Sequence, residues 1–392
     1  MKILVLSFYY KPDLCAGSFR CTALIKELMN QRDSSIQVDL MTTMPNRYSS
    51  FTAEAESFES EDNLNVFRIP IPKHNSGMKD QIKSFIAYYK GVQKLLKSNK
   101  TEYDIVVATS SRLFTAFLGA RVSRKMGSQL YLDIRDIFIE TLREVLPKKI
   151  NFFVLPILKR IELWTFNSAV RVNFISQSFE NYARQFKKPE QFDYFTNGID
   201  DEFIDISLDE YSVESPISIV YAGNIGEGQG LNKIVPQLAN KLGPEYEIHI
   251  YGDGGRKPQL ISSIAELQAS NVVLHNPVTR VELLDIYKKA DILFLHLNDY
   301  EINLSARPSK IFEYAAIGKP ILAGVAGDPK NFMNRNVENS ETFDPCQADQ
   351  AYQAVQKLKL EHTDRHEFIK QYSRSSIMKL MTKSILELGD NK

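Results

Sequence analysis

The stretch from 305 to 320 reads Ser305-Ala306-Arg307-Pro308-Ser309-Lys310-Ile311-Phe312-Glu313-Tyr314-Ala315-Ala316-Ile317-Gly318-Lys319-Pro320. It follows the apolar run Ile292–Leu297. Pro308 suits the first turn of a helix, where Ser309 leaves free N–H groups pointing outward. Gly318 and Pro320 would stop that helix and begin a strand. Arg307 and Lys310 flank the start, so two cations meet a positive helix end, which is chemistry for holding a phosphate-like anion. Glu313 lies three residues beyond Lys310, on the same face, and a carboxylate there can accept paired hydrogen bonds from a diol. On the residues alone, a surface Lys–Glu pair on a capped helix explains the pattern equally well.

Two glycine-rich turns precede that stretch. One is Tyr221-Ala222-Gly223-Asn224-Ile225-Gly226-Glu227-Gly228-Gln229-Gly230, and the other is Tyr251-Gly252-Asp253-Gly254-Gly255. Near the start of the chain stands Ala16-Gly17-Ser18. Small turns at successive strand ends let backbone N–H groups approach a phosphate or a sugar; ordinary turn chemistry is the plainer reading. Neither a GxGxxG nor a Walker sequence is present, so dinucleotide and P-loop readings lack support. Cys15, Cys21 and Cys346 have no metal or redox spacing, and the six histidines form no evident set. We expect no metal and no cofactor.

The elements that must position these residues are read from the alternation of apolar runs and helical periods. Lys2–Ser7, Ile36–Leu40, Val66–Ile69, Ile105–Thr109, Leu130–Asp133 and Val172–Ile175 read as buried strands. Helical stretches such as Phe19–Met29 and Leu113–Lys125 lie between them. The pattern restarts at Ile217–Tyr221, Tyr246–Tyr251, Val272–His275 and Ile292–Leu297. This predicts an α/β chain of two Rossmann-like, doubly wound domains facing each other across a cleft. The expected domains are 1–205 and 206–370, the second carrying the 305–320 stretch. An acidic linker falls over Asp200–Pro216, and a terminal helix over 371–392 packs back on the first domain. That helix would bury Ile377, Leu380, Met381, Ile385 and Leu388.

Of the 392 residues, 43% are hydrophobic and 24% charged, as in ordinary globular chains. No run approaches the roughly 18 apolar residues of a membrane span, and nothing resembles a signal peptide, so a cytoplasmic location is expected. The zero net charge hides an asymmetry. Residues 1–200 hold 28 Lys+Arg against 21 Asp+Glu, and the remainder 20 against 27. A basic first half suits an anionic partner, although a mixed surface gives the same count. Lys79–Lys100 places Ile82, Phe85, Ile86 and Tyr89 in a stripe beside Lys83, Lys90, Lys94 and Lys97. Pro147–Phe166 sets Lys148, Lys149, Lys159 and Arg160 among aromatics, with Pro156 expected to interrupt any continuous helix. Such segments can lie on an anionic membrane face or pack on a core. No nucleic-acid motif accompanies them.

Pro308-Ser309-Lys310-x-x-Glu313-Tyr314-x-Ala316-x-Gly318-Lys319-Pro320 resembles the nucleotide-sugar helix of retaining glycosyltransferases of family 4, with the GT-B fold. More narrowly, it is similar to the bacterial surface-polysaccharide branch that includes fucosamine-type transferases. Ala16-Gly17-Ser18-Phe19-Arg20 resembles the N-terminal glycine loop of that branch, and Asp133-Ile134-Arg135-Asp136 its interdomain-facing strand end. Phe195-x-Asn197-Gly198-x-Asp200, Tyr221-Ala222-Gly223-Asn224 and Gln229-Gly230-Leu231 resemble further turns of the family. The resemblance implies a metal-independent transfer of a hexosyl or N-acetylhexosaminyl group from a UDP-sugar to a polyprenyl-diphosphate-linked or other glycan acceptor, in O-antigen, capsule or exopolysaccharide assembly. Attachment to the inner face of the cytoplasmic membrane is implied as well.

Roles follow position by position. Glu313 would bind the ribose hydroxyls; Ser309 and Lys310 would sit by the diphosphate. Gly17, Gly223, Gly252 and Asp253 would line the donor, and Asn276–Val278 would flank the base. Four positions depart from the family pattern. Its first Glu falls at Ser305, its diphosphate-neutralising Arg and Lys fall at Asn224 and Gln229, and its N-domain His falls near Arg135. Arg307 and Lys310 are the expected substitutes for the missing cations, and Arg135 with Asp136 completes the candidate catalytic set. A GT-B sugar-nucleotide epimerase and a non-catalytic sugar-nucleotide binder are the competing readings.

Overall fold

The computed structural model describes residues 1–389 apart from 14, 32–34, 47–53, 73–77, 111–112, 138, 140–141, 143–147, 187, 189–190 and 205–213. Of residues 78, 79 and 148–150 only the helical backbone is described, so the side chains of Lys79, Lys148 and Lys149 lie outside, as do Pro147 and most of the expected linker.

Fourteen described strands form two sheets. The first contains β1 (Lys2–Ser7), β2 (Gln37–Thr43), β3 (Phe58–Glu61), β4 (Leu64–Ile69), β5 (Ile105–Ser110), β6 (Gln129–Ile134), β7 (Arg171–Phe174) and β8 (Phe192–Asp193), in the order β3-β4-β2-β1-β5-β6-β7-β8. Its central strands are Val/Ile/Leu runs buried on both faces, as a helix-covered parallel sheet requires. Only β3 runs antiparallel, to β4. Its sequence, Phe-Glu-Ser-Glu, is mostly exposed, and charge on an edge discourages further pairing. The second sheet is wholly parallel: β9 (Ile217–Ala222), β10 (Tyr246–Tyr251), β11 (Val272–His275), β12 (Ile292–His296), β13 (Ile321–Gly324) and β14 (Ser340–Phe343), ordered β11-β10-β9-β12-β13-β14.

The described helices of more than one turn are α1 (Ala16–Met29), α2 (Met78–Asn99), α3 (Leu113–Met126), α4 (Lys148–Ser168), α5 (Leu231–Leu242), α6 (Lys257–Glu266), α7 (Arg280–Lys289), α8 (Ser309–Ile317), α9 (Asp328–Asn336), α10 (Ala348–Val355), α11 (His366–Tyr372) and α12 (Arg374–Leu386). The chain divides into one unit of Met1–Thr196 with Ser375–Lys392, and another of Asn197–Arg374. The boundary thus falls nearer 196 than 205, and nearer 374 than 370. The reason is local. Ile199 N donates to Tyr372 O at 2.8 Å and Arg374 N donates to Ile199 O at 2.7 Å. Phe203 is buried in the second core, and Asp200 pairs with both Arg280 and Arg374.

In the first unit, α1 and α12 cover one face of the sheet. Ile377, Met378, Met381, Ile385 and Leu388 share a core with Ile3, Val5, Leu24 and Tyr131. Leu380, placed on that face from the sequence, points outward, and Met378 takes its position. The other face carries α2, α3 and α4, joined through the Phe85–Phe114 and Phe117–Trp164 ring pairs. In this layer one question the sequence left open is answered in part, and one expectation, an interrupted α4, fails. The buried face of α2 is Ser84, Tyr88 and Val92, so Ile82 and Ile86 are exposed. Tyr88 Oη also donates to Met41 O at 2.8 Å, which fixes that rotation. And α4 runs through Pro156, whose exposed position turns the lost backbone bond away from the core.

Candidate functional site

Helix α8 begins one residue later than its sequence suggests, with Pro308 as N-cap and Ser309 as first residue. Pro308 has extended backbone angles and makes no side-chain cap, so the first turn keeps its outward N–H groups. Ile311, Phe312, Tyr314, Ala315 and Ile317 anchor α8 in the second unit's core. Gly318, left-handed at φ 77°, ends it. Beyond that end, the Arg365 guanidinium donates to Ala315 O (3.2 Å), Lys319 O (3.1 Å) and Glu338 O (2.6 Å). Its charge complements the negative helix end. The helix is therefore clamped at its C-terminus and open at its N-terminus.

Two ionisable side chains on α8 have no hydrogen bond or ion pair with any described residue. Glu313 is only 5% exposed. Lys310 is half-buried, with its Nζ 5.9 Å from the centre of the Tyr221 ring. The ammonium occupies the hollow left by Gly223, whose φ is 152°; a Cβ there would lie 2.7 Å from Nζ. Burial pushes the Lys310 pKa down, against the attraction of Glu313. A cation held in a glycine hollow beside a free helix start can take an anion, and a carboxylate one turn deeper can take hydroxyl donors.

Arg307 does not join them. Its guanidinium forks onto Asp328, at the start of α9, with Nη2 2.8 Å from Oδ1, and lies over the Phe332 ring at 4.5 Å. A paired, stacked guanidinium is not an open charge, so the expectation that Arg307 shares an anion with Lys310 is corrected. Its partner lies 21 residues ahead, in a different helix, and no local spacing reveals it. The backbone carbonyl of Arg307 accepts from Asn197 Nδ2 at 3.0 Å.

Asn224 and Gln229 form a clasp. Asn224 Nδ2 donates to Gln229 Oε1 at 2.8 Å, and Gly226 N donates to the same oxygen at 3.2 Å. Two cations in these places would repel each other; the two amides close the turn instead. The turns after β9 and β10 extend the parallel ladder past the strands. Gly223 N donates to Tyr251 O and Ile225 N to Asp253 O, both at 2.8 Å. Gly252 and Asp253 thus serve turn-to-turn packing, with Asp253 Oδ1 accepting from Gly254 N. Ser305 is half-buried and ends the short turn Glu301–Leu304, and Ser309 is half-buried at the start of α8. Val278 is half-buried between exposed Asn276 and Pro277 and the capping box Thr279–Glu282, which starts α7.

His296 is a support that sequence reading missed. Its Nδ1 lies 2.6 Å from Gln229 O, and its Nε2 accepts from Cys346 N at 3.0 Å. Burial pushes its pKa down from 6.5 to about 4. The folded ring is thus neutral where the unfolded one takes a proton, so stability should fall as pH drops from about 6.5 to about 4, by about 3 kcal/mol. Urea titrations across that range should show the slope, and His296→Gln should flatten it. An equal slope in the variant would clear His296 of that role.

In the first unit, Arg135 lies on Gly17 at the start of α1: a Cβ on Gly17 would stand 2.8 Å from Arg135 Nη2. Asp136 follows with its side chain exposed. Beneath them sits a buried pair. Arg20 Nε donates to Asp133 Oδ2 at 2.8 Å and Nη2 to Oδ1 at 2.9 Å. Thr109 Oγ1 and Asn173 Nδ2 each donate to the same carboxylate at 2.8 Å. Burial opposes the Asp133 charge, but Arg20, with Arg135 and the Asn173 donor, outweighs it and holds the pKa low. Two further Arg20 bonds, to Thr196 O and Phe195 O, tie α1 to the end of the unit.

Residues 208–375 match the family model described as glycosyl transferases group 1. No curated protein matches the sequence. Among solved structures, the chain is similar to an alpha,alpha-trehalose-phosphate synthase (UDP-forming) from Burkholderia xenovorans, at 9% identity and a TM-score of 0.71, covering 98% of this chain and 99% of that one. It is similar to the lipopolysaccharide outer core galactosyltransferase WaaB at 14% identity, 0.62, and 99% of both chains. It is also similar to Anabaena Alr3699/HepE in complex with UDP, at 15% identity, 0.56, and 100% and 98%. The glycosyl transferases group 1 match lies on the unit that carries α8, and these whole-length likenesses show that the fold is GT-B, with two Rossmann-like units. No helix among the described residues is long and apolar enough to cross a membrane.

Proposed function

We propose that this protein is a retaining family-4 glycosyltransferase of the surface-polysaccharide, fucosamine-transferase-like branch. It moves a hexosyl or N-acetylhexosaminyl group from a UDP-sugar to a polyprenyl-diphosphate-linked saccharide during O-antigen, capsule or exopolysaccharide assembly. The observation that carries the reading is the unpaired Lys310–Glu313 couple at the open end of α8. In this reading Lys310 and the α8 N–H groups face the diphosphate, Glu313 holds the ribose diol, and the loop ending at Val278 flanks the base. Ser309 and the Gly223 turn border the diphosphate, and Ser305 borders the sugar. Asn224 and Gln229 act by keeping the turn closed. Arg307 acts as a positioning residue, bracing the start of α8 against α9 through Asp328. Gly17, Arg135 and Asp136 are assigned to the transferred sugar and the acceptor. No cofactor or metal is proposed. The acceptor's lipid would bring the enzyme to the inner face of the cytoplasmic membrane.

Radiolabelled UDP-sugars offered with a polyprenyl-diphosphate saccharide test the reading: label should move to the lipid fraction. An epimerised free nucleotide-sugar, or binding without turnover, would overturn it. Glu313→Gln should weaken UDP binding about tenfold or more while leaving the melting temperature nearly unchanged, because a hydrogen-bonded charge is lost at a ligand rather than in a paired network. Unaltered affinity in a folded variant would remove Glu313 from the site.

A further inference from the structure

Apolar side chains on a surface helix normally point inward, yet α4 turns several outward. Phe152, Phe153 and Ile157 are 74%, 72% and 62% exposed, and Leu163 is also exposed. Positions 152, 153, 156, 157, 160 and 163 fall on one side of a helix, so these residues and the exposed Pro156 and Arg160 form a continuous ridge. The two phenyl rings touch edge to face, 5.2 Å between centres. Beside the ridge runs an apolar groove lined by Phe117, Ile157, Ile161 and Trp164. On the far side of α3, Ile82 and Ile86 of α2 are exposed in the same layer.

The charges around this ridge have one sign. Helices α2, α3 and α4 contain five, three and four Lys or Arg, and their only acids are Asp80 and Glu162. Asp80 is paired with Lys83, and Glu162 is buried and bonded to Tyr182. Lys83, Lys90, Lys94, Lys97, Lys159 and Arg160 are exposed. Arg121 and Arg124 lie over the Phe117 and Trp164 rings, with their heads toward solvent.

We infer that the outer face of the α2–α3–α4 layer docks on an anionic lipid bilayer, with Phe152, Phe153 and Ile157 inserted among the acyl chains and the lysines and arginines lying at the headgroups. An aromatic–aliphatic ridge ringed by cations is matched by a surface that is apolar beneath and negative on top. A second copy of the chain is a poor match, since pairing this face with itself sets cations against cations. Two forces of different kind then act: a salt-sensitive attraction from the cations and a salt-insensitive insertion from the ridge. This deepens the lipid-acceptor reading by naming the surface, and its test needs no donor, acceptor or turnover, so the two can fail separately.

The test is flotation of the full chain with phosphatidylglycerol-rich and with pure phosphatidylcholine vesicles, at low and high salt. Wild type should float with the anionic vesicles far more than with the neutral ones, and lose part of that binding in high salt. Phe152→Ser with Phe153→Ser should lower binding at least about tenfold at both salt levels. Lys90→Gln, Lys94→Gln and Lys97→Gln together should remove most of the salt-sensitive part. Because Phe152 and Phe153 touch little of the core, circular dichroism and melting should be unchanged in the double variant. Wild-type flotation of the double variant, equal flotation with both vesicle types, or a wild-type dimer in sedimentation that the double variant abolishes would each overturn the inference.

Discussion

Lys310→Ala is expected to lower turnover by about 10²–10³ while changing donor affinity less. As the diphosphate departs, its leaving oxygen gains negative charge, so a fixed cation there stabilises the transition state more than the bound donor. Lys310 is the side chain at the α8 start suited to this: Arg307 is bound to Asp328, and the turn positions 224 and 229 hold amides bonded to each other. The Gly223 hollow fixes the ammonium before any ligand arrives, which makes its effect one of preorganisation. If Lys310 merely decorates the helix beside Glu313, the substitution costs a few tenths of a kcal/mol and spares the rate. Single-turnover rates at saturating donor separate the two, and a wild-type rate would end the catalytic assignment. Gly223→Ala is the structural companion, since its Cβ would displace the same ammonium.

Asp133→Ala should cost about 3–5 kcal/mol of stability, because it leaves the Arg20 guanidinium buried and without its carboxylate. Arg20 and Asp133 are both essentially inaccessible, so water cannot replace the lost partner. Urea unfolding of the variant reads the effect directly. Asp136→Ala, on an exposed side chain three residues later, is the control and should stay within about 0.5 kcal/mol. A loss below about 1 kcal/mol for Asp133→Ala would mean that the Arg20 bonds to Thr196 and Phe195 carbonyls carry the charge unaided.

Much of the fold was legible because burial on both faces of a parallel sheet forces runs such as Lys-Ile-Leu-Val-Leu-Ser and Ile-Leu-Phe-Leu-His-Leu, which little else explains. The α8 start was legible because proline, glycine and charge fall where helix ends need them. The failures have a common cause. Arg307 was read from its neighbours in sequence, but its charge is spent on a residue in another helix. Asp200 looked like linker acidity, yet two arginines far along the chain bury it in the second unit. On α2, two apolar stripes overlap, and periodicity alone cannot say which one meets the sheet; Tyr88 and Val92 do, leaving Ile82 and Ile86 outside. His296 gave no signal at all, since a lone histidine at a strand end has no spacing to betray its two backbone partners.

The return of α12 to the first unit also orders the making of the protein. The second unit is one uninterrupted stretch, Asn197–Arg374, whereas the first is made in two instalments separated by the whole of the other. During synthesis, the residues of β1, β2, β5 and α1 emerge early but must wait for Ile377, Met378, Met381, Ile385 and Leu388 before their shared core closes. A nonsense codon shortly after 374 would therefore spare the second unit's stretch and leave the earlier-made half unsealed.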